Sequence, residues 1–219
     1  MVLICKAVLF DLDGVLVDST AAVERVWRAW ALEHHLGPAP VIEHAHGRRS
    51  IETIRVMAPE LDAERENLKV ESMEIEDKEG VVALPGAAEL LRALPPDRCA
   101  IVTSATRPLA EARLQYAGLP LPRNLVSADD VVHGKPSPEP YLKGAALLGF
   151  APQDCLVFED TPAGVQSAQA GGMQAIAVTT TYAAHDLQSA DAVTSSLAEV
   201  RLEFAKQEIR VGIESGVPR

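Results

Sequence analysis

The stretch "AVLFDLDGVLVDST", Ala7 to Thr20, runs four apolar residues into Asp11 and Asp13, with Gly14 next and Asp18 a few residues on. Carboxylates at the end of a buried strand repel one another and lose hydration, so something must offset the cost. A second acidic pair, Glu159 and Asp160, ends the apolar run "CLVFED". Clustered carboxylates without basic neighbours in sequence suit a hard divalent cation. An all-oxygen set of this kind fits Mg²⁺, which keeps several waters for a phosphate to displace. Ser104, at the end of "CAIVTS", and Lys135, in "HGKPSPEP", add a hydroxyl and an ammonium for the remaining phosphate oxygens. Together these side chains resemble a phosphoryl-transfer site.

Such a set must be gathered by the fold. Runs of strand length and composition occur at residues 5–10, 99–104, 124–128, 155–160 and 174–179, with a sixth offered by 192–194. Between them lie helix signals: "PGAAELLRAL", "RPLAEARLQYAG", "PEPYLKGAALLG" and "TPAGVQSAQAGG". This alternation predicts an α/β fold, a doubly wound (Rossmann-like) parallel sheet with helices on both faces. Ligands of such sheets bind outside the carboxyl ends of the strands, which is where the acidic and hydroxyl residues fall. One interval breaks the pattern. From about residue 18 to 84 the sequence is helical only, as in "AAVERVWRAWALEHHLG" and "SIETIRVMA". The expected division is a core of residues 1–16 and 84–219 with an inserted helical cap of residues 17–83. Asp18, where the chain leaves the core, is expected to cap the first helix of the insert or brace the hinge. The tail has two alternating segments, 200–204 and 209–213, which permit a β-hairpin or a helix.

The 219 residues carry 31 acidic and 20 basic side chains, a formal charge of −11. This argues against a nucleic-acid or anionic-membrane surface, both of which need clustered Lys and Arg. Cys5, Cys99 and Cys155 are odd in number and far apart, and read as buried reduced thiols of a cytoplasmic protein. "MVLICKAVLF" lacks a basic leader and is too short for a membrane span. The expected partner is a small phosphorylated metabolite, and the expected state is a monomer. There is no P-loop, GxSxG or CxxC, and an EF-hand is excluded because the glycine comes too early.

The sequence resembles the haloacid dehalogenase superfamily, within it the phosphatases with a small helical cap after the first strand. "FDLDGVLVDS", "IVTSA", "GKPSPEPY" and "FEDTPAGVQSAQAGG" resemble the four family motifs in order, and the likeness spans about residues 4–195. It implies Asp11 as the nucleophile that forms an aspartyl-phosphate and Asp13 as the acid, then base, for leaving group and water. It further implies Mg²⁺ held by Asp11, the backbone carbonyl of Asp13 and Asp160, with Glu159 acting through water. Ser104 and Lys135 then stabilise the transferring phosphoryl oxygens, and Ala105 belongs to the same substrate-binding set.

The resemblance also sorts reactions. The second aspartate, Asp13, favours a C–O–P ester over a halide or phosphonate. β-Phosphoglucomutases share the motifs and cap but carry a histidine where this chain has Val23, so hydrolysis is favoured over a phosphosugar mutase. A non-enzymatic regulatory module would be expected to have lost Asp11, Asp13 or Lys135. In the cap, "HGRRSIETI" resembles a segment of glycerol phosphate and 2-deoxyglucose 6-phosphate phosphatases, which implies that His46, Arg48 and Arg49 face the cleft, Arg49 foremost. His34, His35 and His44 read as surface or packing residues.

Overall fold

A computed structural model describes residues 1–214 of the chain. Strands β1 (Val2–Cys5), β2 (Ala7–Phe10) and β3 (Val17–Asp18) lead into four helices, α1 (Thr20–Glu33), α2 (Pro38–Ala45), α3 (Ser50–Met57) and α4 (Ala63–Glu76). The chain returns through β4 (Val82–Ala83) and α5 (Ala87–Ala93). It then alternates: β5 (Cys99–Val102), α6 (Arg107–Tyr116), β6 (Leu125–Val126), α7 (Glu139–Leu148), β7 (Cys155–Glu159), α8 (Pro162–Ala170), β8 (Gln174–Val178) and β9 (Ala192–Thr194). A hairpin of β10 (Val200–Ala205) and β11 (Glu208–Ile213) follows.

Six strands form one parallel sheet in the order β6-β5-β2-β7-β8-β9. Every residue of β2, β5 and β7 is buried, the mark of strands covered on both faces. One face packs Phe10, Ile101 and Phe158 of the sheet with α5 and with Leu109 and Leu114 of α6; the other packs Leu9 with Tyr141 and Ala145 of α7 and Val165 of α8. Register places the site. Phe10 is opposite Ile101 on one side and Phe158 on the other, the two phenyl rings stacked at 5.2 Å, so the ends of β2, β5 and β7 emerge level at one edge.

The helices start and stop where their chemistry requires. Proline stands in the first turn of α6, α7 and α8, where its missing N–H is not needed. Thr161 caps α8 by accepting the Gly164 N–H at 3.1 Å, and Gly149 ends α7 in the left-handed region at φ 76°. The four inserted helices bury their own cluster, including Trp27, Trp30, Val41, Ile54 and Val70, and form a cap over the sheet edge. His34 belongs to this packing, with Nε2 3.0 Å from Glu66 and its ring against Trp30.

Three local features depart from the expected elements. The run at 5–10 is broken at Lys6: β1 pairs antiparallel with β11 in a three-stranded sheet, and only Ala7–Phe10 joins the parallel sheet. Lys6 makes the break because its ammonium reaches Asp154 at 3.0 Å and its N–H bonds the Asp154 carbonyl. The open alternatives for the tail resolve as a hairpin. Where the chain leaves for the cap and returns, β3 and β4 pair antiparallel, Val17 with Ala83 and Asp18 with Val82. Asp18 takes the Thr20 N–H at 3.1 Å, so it braces this crossing, while Ser19 holds the N-cap position.

The three cysteines are free and buried. Burial pushes the Cys5 and Cys99 thiols up to about 12 and that of Cys155 up to about 11, which keeps them protonated and unreactive. No helix among the described residues is long and apolar enough to cross a membrane.

Candidate active site

At the edge where β2 ends, Asp11 is 4% exposed and its N–H bonds the Phe158 carbonyl at 3.0 Å. Lys135, from the loop before α7, is buried beside it. Its Nζ donates to Asp11 Oδ1 at 2.7 Å, to Glu159 Oε1 at 2.6 Å and to the Val102 carbonyl at 3.3 Å. The ammonium lies 4.9 Å from the centre of the Tyr141 ring, whose hydroxyl donates to Glu159 Oε1 at 3.0 Å. Burial opposes the Lys135 charge, but Asp11 and Glu159 outweigh it and hold the ammonium above its ordinary value. Burial likewise works to raise Glu159, and Lys135 overrides it to hold that carboxyl low.

Glu159 is saturated. Besides Lys135 and Tyr141 on Oε1, its Oε2 accepts the N–H groups of Asp160 and Thr161 and the Thr161 hydroxyl, all at 2.9–3.0 Å. A carboxylate has about four lone-pair sites, so this one anchors the lysine and offers no free site to a cation. Gly164 makes this packing feasible, because a Cβ there would overlap the Glu159 carboxylate.

Asp160 is different. Its Oδ2 accepts the Thr181 hydroxyl, while Oδ1 is buried with no partner among the described residues. Burial, then the charges of Glu159 and Asp11, push its carboxyl well above the ordinary range. Asp11, Glu159 and Asp160 present oxygens all within 4.8 Å of one another. Fully ionised, three carboxylates against one ammonium would leave two negative charges in excess, and the Asp160 oxygen that has no partner among the described residues is the atom a cation would meet. Asp11 and the free oxygen of Asp160 suit a hard divalent ion, with Glu159 behind them as the anchor of Lys135.

Gly14 is part of that fit. It turns the chain away from β2 at φ 78°, and a Cβ there would overlap the Asp160 carboxylate. Gly14→Ala should therefore cost about 1–3 kcal/mol of backbone strain and displace Asp160. The expected outcome is a lower melting temperature together with weaker divalent-cation uptake by calorimetry; an unaltered cation isotherm would contradict the placement.

Asp13 is held by two donors. Ser19, whose hydroxyl makes no bond within α1, donates to Oδ1 at 2.7 Å, and Arg113 of α6 donates to Oδ2 at 2.6 Å. The other arm of Arg113 donates to Glu74 of α4 at 3.1 Å. Burial opposes the Arg113 charge, but Asp13 and Glu74 outweigh it and keep the guanidinium pKa above its ordinary value.

Ser104 lies at the same edge and ties it to the cap, donating to the Gly47 carbonyl at 3.0 Å. The Ala105 N–H is engaged by Thr103 Oγ1 at 3.1 Å. The cleft between cap and core encloses about 80 Å³ and is lined by Asp11, Asp13, Ser104, Ala105, His46, Arg48 and Asp160 among others. The cap rests on the core beside this cleft through the Ser104 bond to Gly47 and the Arg113 bond to Glu74. His46, Arg48 and Thr161 also line a wider outer cavity of about 450 Å³ with Glu43 and Tyr182. Burial lowers the His46 imidazole, and its Nε2 is buried without a partner among the described residues. Lys135 lies beneath Asp11 rather than on the cleft wall. Arg49 lies outside both cavities: its guanidinium donates to the Val132 carbonyl at 2.8 Å, and it packs over Gly134 and beside Glu52. Of the two adjacent arginines, the structure brings Arg48 to the cleft.

Several partners of these groups carry no motif signal of their own. Tyr141 and Thr161 lie inside "GKPSPEPY" and "FEDTPAGVQ", yet nothing in their type assigns them to Glu159. Arg113 and Glu74 do leave a trace. Arg113 follows Leu109 by four residues and Glu74 follows Val70 by four, so each is a charge on the buried stripe of its helix. Thr181, from the loop after β8, leaves none.

The chain matches the haloacid dehalogenase-like hydrolase family over residues 5–172. Hexitol phosphatase A of Escherichia coli K12 is 47% identical over 201 residues, covering 90% of this chain and 93% of that protein. Glycerol-1-phosphate phosphohydrolase 2 of Saccharomyces cerevisiae is 35% identical over 189 residues, covering 81% and 76%. Among solved structures, a hydrolase from Pseudomonas syringae superimposes with a TM-score of 0.80 at 26% identity, covering 88% of this chain and 94% of that one. β-Phosphoglucomutase from Clostridium difficile also gives 0.80, at 21% identity and 90% and 93% coverage, a likeness of fold alone.

Proposed function

The chain belongs to the haloacid dehalogenase-like hydrolases and is a phosphatase of that family, and on this premise we propose that it hydrolyses a small sugar or polyol phosphate in a Mg²⁺-dependent reaction through an aspartyl-phosphate. The observation that carries the reading is the buried trio of Asp11, Glu159 and Asp160 balanced by a single lysine. Asp11, Asp160 and the backbone carbonyl of Asp13 would hold Mg²⁺, and the bound ion supplies charge neutralisation for nucleophile and phosphate. Glu159, expected to act through water, is instead filled by its five donors and serves to anchor Lys135.

Asp11 attacks phosphorus as the bond to the alcohol oxygen breaks, which divides one hard hydrolysis into two easier steps. Lys135 holds Oδ1 of Asp11 and leaves Oδ2 for the attack. Asp13 gives its proton to the departing alkoxide, then takes one from the water that cleaves the aspartyl-phosphate. Ser104 would turn its hydroxyl from the Gly47 carbonyl to the transferring phosphoryl oxygens, and the positive charge of Lys135 offsets charge that builds there. The closed cap excludes bulk water between steps. His46 and Arg48, which line both cavities, are placed to meet the alcohol portion.

A mutase reading is disfavoured by Val23, which lines the cleft where the resembling mutases carry histidine. The test is release of inorganic phosphate from a panel of hexitol, hexose and glycerol phosphates, with β-glucose 1-phosphate assayed for conversion to the 6-phosphate. Phosphate should be released from at least one polyol or sugar phosphate, cease with EDTA and return with added Mg²⁺. Activity indifferent to chelation, or isomerisation without phosphate release, would contradict the proposal.

A further inference from the structure

We propose that Arg113 is a positioning residue that couples the seated cap to the proton-transfer carboxyl Asp13. The inference rests on the phosphatase reading and adds to it a cleft residue whose two guanidinium arms are both engaged by carboxylates. Arg113 belongs to the core helix α6, and its side chain is 7% exposed. One arm of its planar fork meets Asp13 Oδ2 at 2.6 Å, and the other meets Glu74 Oε2, on the cap helix α4, at 3.1 Å. Glu74 is as buried as Arg113, whereas Asp13 retains 27% exposure on the cleft side.

The Arg113 and Glu74 charges, buried to this extent, persist only when paired, and they pair with each other. Geometry makes Arg113 a strut. Its two nitrogens fix the distance and plane between Asp13 and Glu74, which a flexible ammonium would not do. Ser19 holds the opposite oxygen of Asp13 from the chain crossing into the cap, so both restraints on this carboxyl depend on the cap's attachment. With two of about four acceptor sites engaged, the remaining ones face the cleft for the proton and the leaving oxygen. When the cap lifts, α4 carries Glu74 away, and Arg113 loses the contact that sets its orientation. Proton donation is thereby restricted to the closed state, in which the leaving group is shielded from bulk water.

The test compares kcat/KM for phenyl phosphate, whose phenoxide departs with help from a proton, and for 2,4-dinitrophenyl phosphate, whose phenoxide needs none. Neither leaving group carries an aliphatic hydroxyl for Glu74 to bind, and kcat/KM reports only the steps through transfer to Asp11. In Arg113→Met the ratio of the phenyl to the dinitrophenyl value should fall by about 100-fold, within the range contributed by a positioned general acid. In Glu74→Gln it should fall about tenfold, because a neutral amide holds the fork less firmly. If Arg113→Met does not fold, the double variant Arg113→Met/Glu74→Leu removes both charges together and should fold with the same fall in ratio. Equal losses on both substrates, or an unchanged ratio in Glu74→Gln, would overturn the coupling and leave Arg113 a packing residue. A wild-type protein that releases phosphate from neither ester would instead overturn the phosphatase reading itself.

Discussion

Asp11→Asn is expected to lower phosphate release by a factor on the order of 10⁴ or more, as removal of an enzyme's nucleophile does, while the protein remains folded. Asparagine has nearly the same shape, and its carbonyl can still accept from Lys135, so the packing under the cap is preserved. What it lacks is the charge and nucleophilicity for attack on phosphorus. Retention of more than about a tenth of the activity would contradict the assignment. The same variant carries a second, opposite signature in stability. In the metal-free protein, burial pushes Asp11 up to about 7, with Lys135 pulling it down and Glu159 adding to the rise. The folded state therefore holds this proton more tightly than the unfolded state. The stability it contributes is full below the ordinary carboxylate range and is lost as pH rises through about 7. In EDTA the wild-type melting temperature should decline over that window, and Asp11→Asn should flatten the decline. A steeper decline in the variant would mean that Lys135, not burial, governs Asp11.

Much of this arrangement was legible in the sequence for one physical reason. Strands covered on both faces become uninterrupted apolar runs, and β2, β5 and β7 are buried at every position. Once those runs are aligned as a parallel sheet, the residues after each run must share one edge, so Asp11, Ser104, Glu159 and Asp160 converge without further information. Two-residue strands such as β3 and β4 show no periodicity and escape notice. The split at Lys6 escapes because an apolar pattern cannot say which of two sheets a strand joins.

Direction is harder to read than position. Arg49 is the N-cap residue of α3, in extended backbone, and neighbouring residues there point to different sides. Adjacent arginines thus diverge, Arg48 into the cleft and Arg49 onto the Val132 carbonyl. Lys135 shows the same limit. Its type and motif predict an ammonium for phosphate, but they do not reveal that it sits beneath Asp11 with Glu159 as a second partner.

That position makes Lys135→Met the most disruptive single change expected here. The wild-type side chain is 1% exposed and faces two carboxylates, a carbonyl and an aromatic ring. Methionine fills much of the volume of the stem, so the cost is electrostatic: three buried carboxyl groups would lose the one ammonium that faces them among the described residues. Removing one partner of a buried ion pair costs about 3–5 kcal/mol, which for a chain of this size lowers the melting temperature by on the order of 10 °C. Activity should fall by about 10²–10³ through loss of transition-state charge stabilisation. The two losses should respond differently to Mg²⁺. Added cation can supply positive charge to Asp11 and Asp160 and recover part of the stability by mass action. It cannot restore the ammonium that orients Asp11, so turnover should remain depressed at saturating Mg²⁺. Lys135→Arg should also fail to rescue, because the broader guanidinium does not fit the space bounded by Asp11, Glu159 and the Tyr141 ring. Thermal melts with and without Mg²⁺ decide the matter. If the melting temperature of Lys135→Met lies within about 1 °C of wild type in EDTA, Lys135 does not neutralise the cluster, and the charge imbalance that calls for a divalent ion must be reckoned without it.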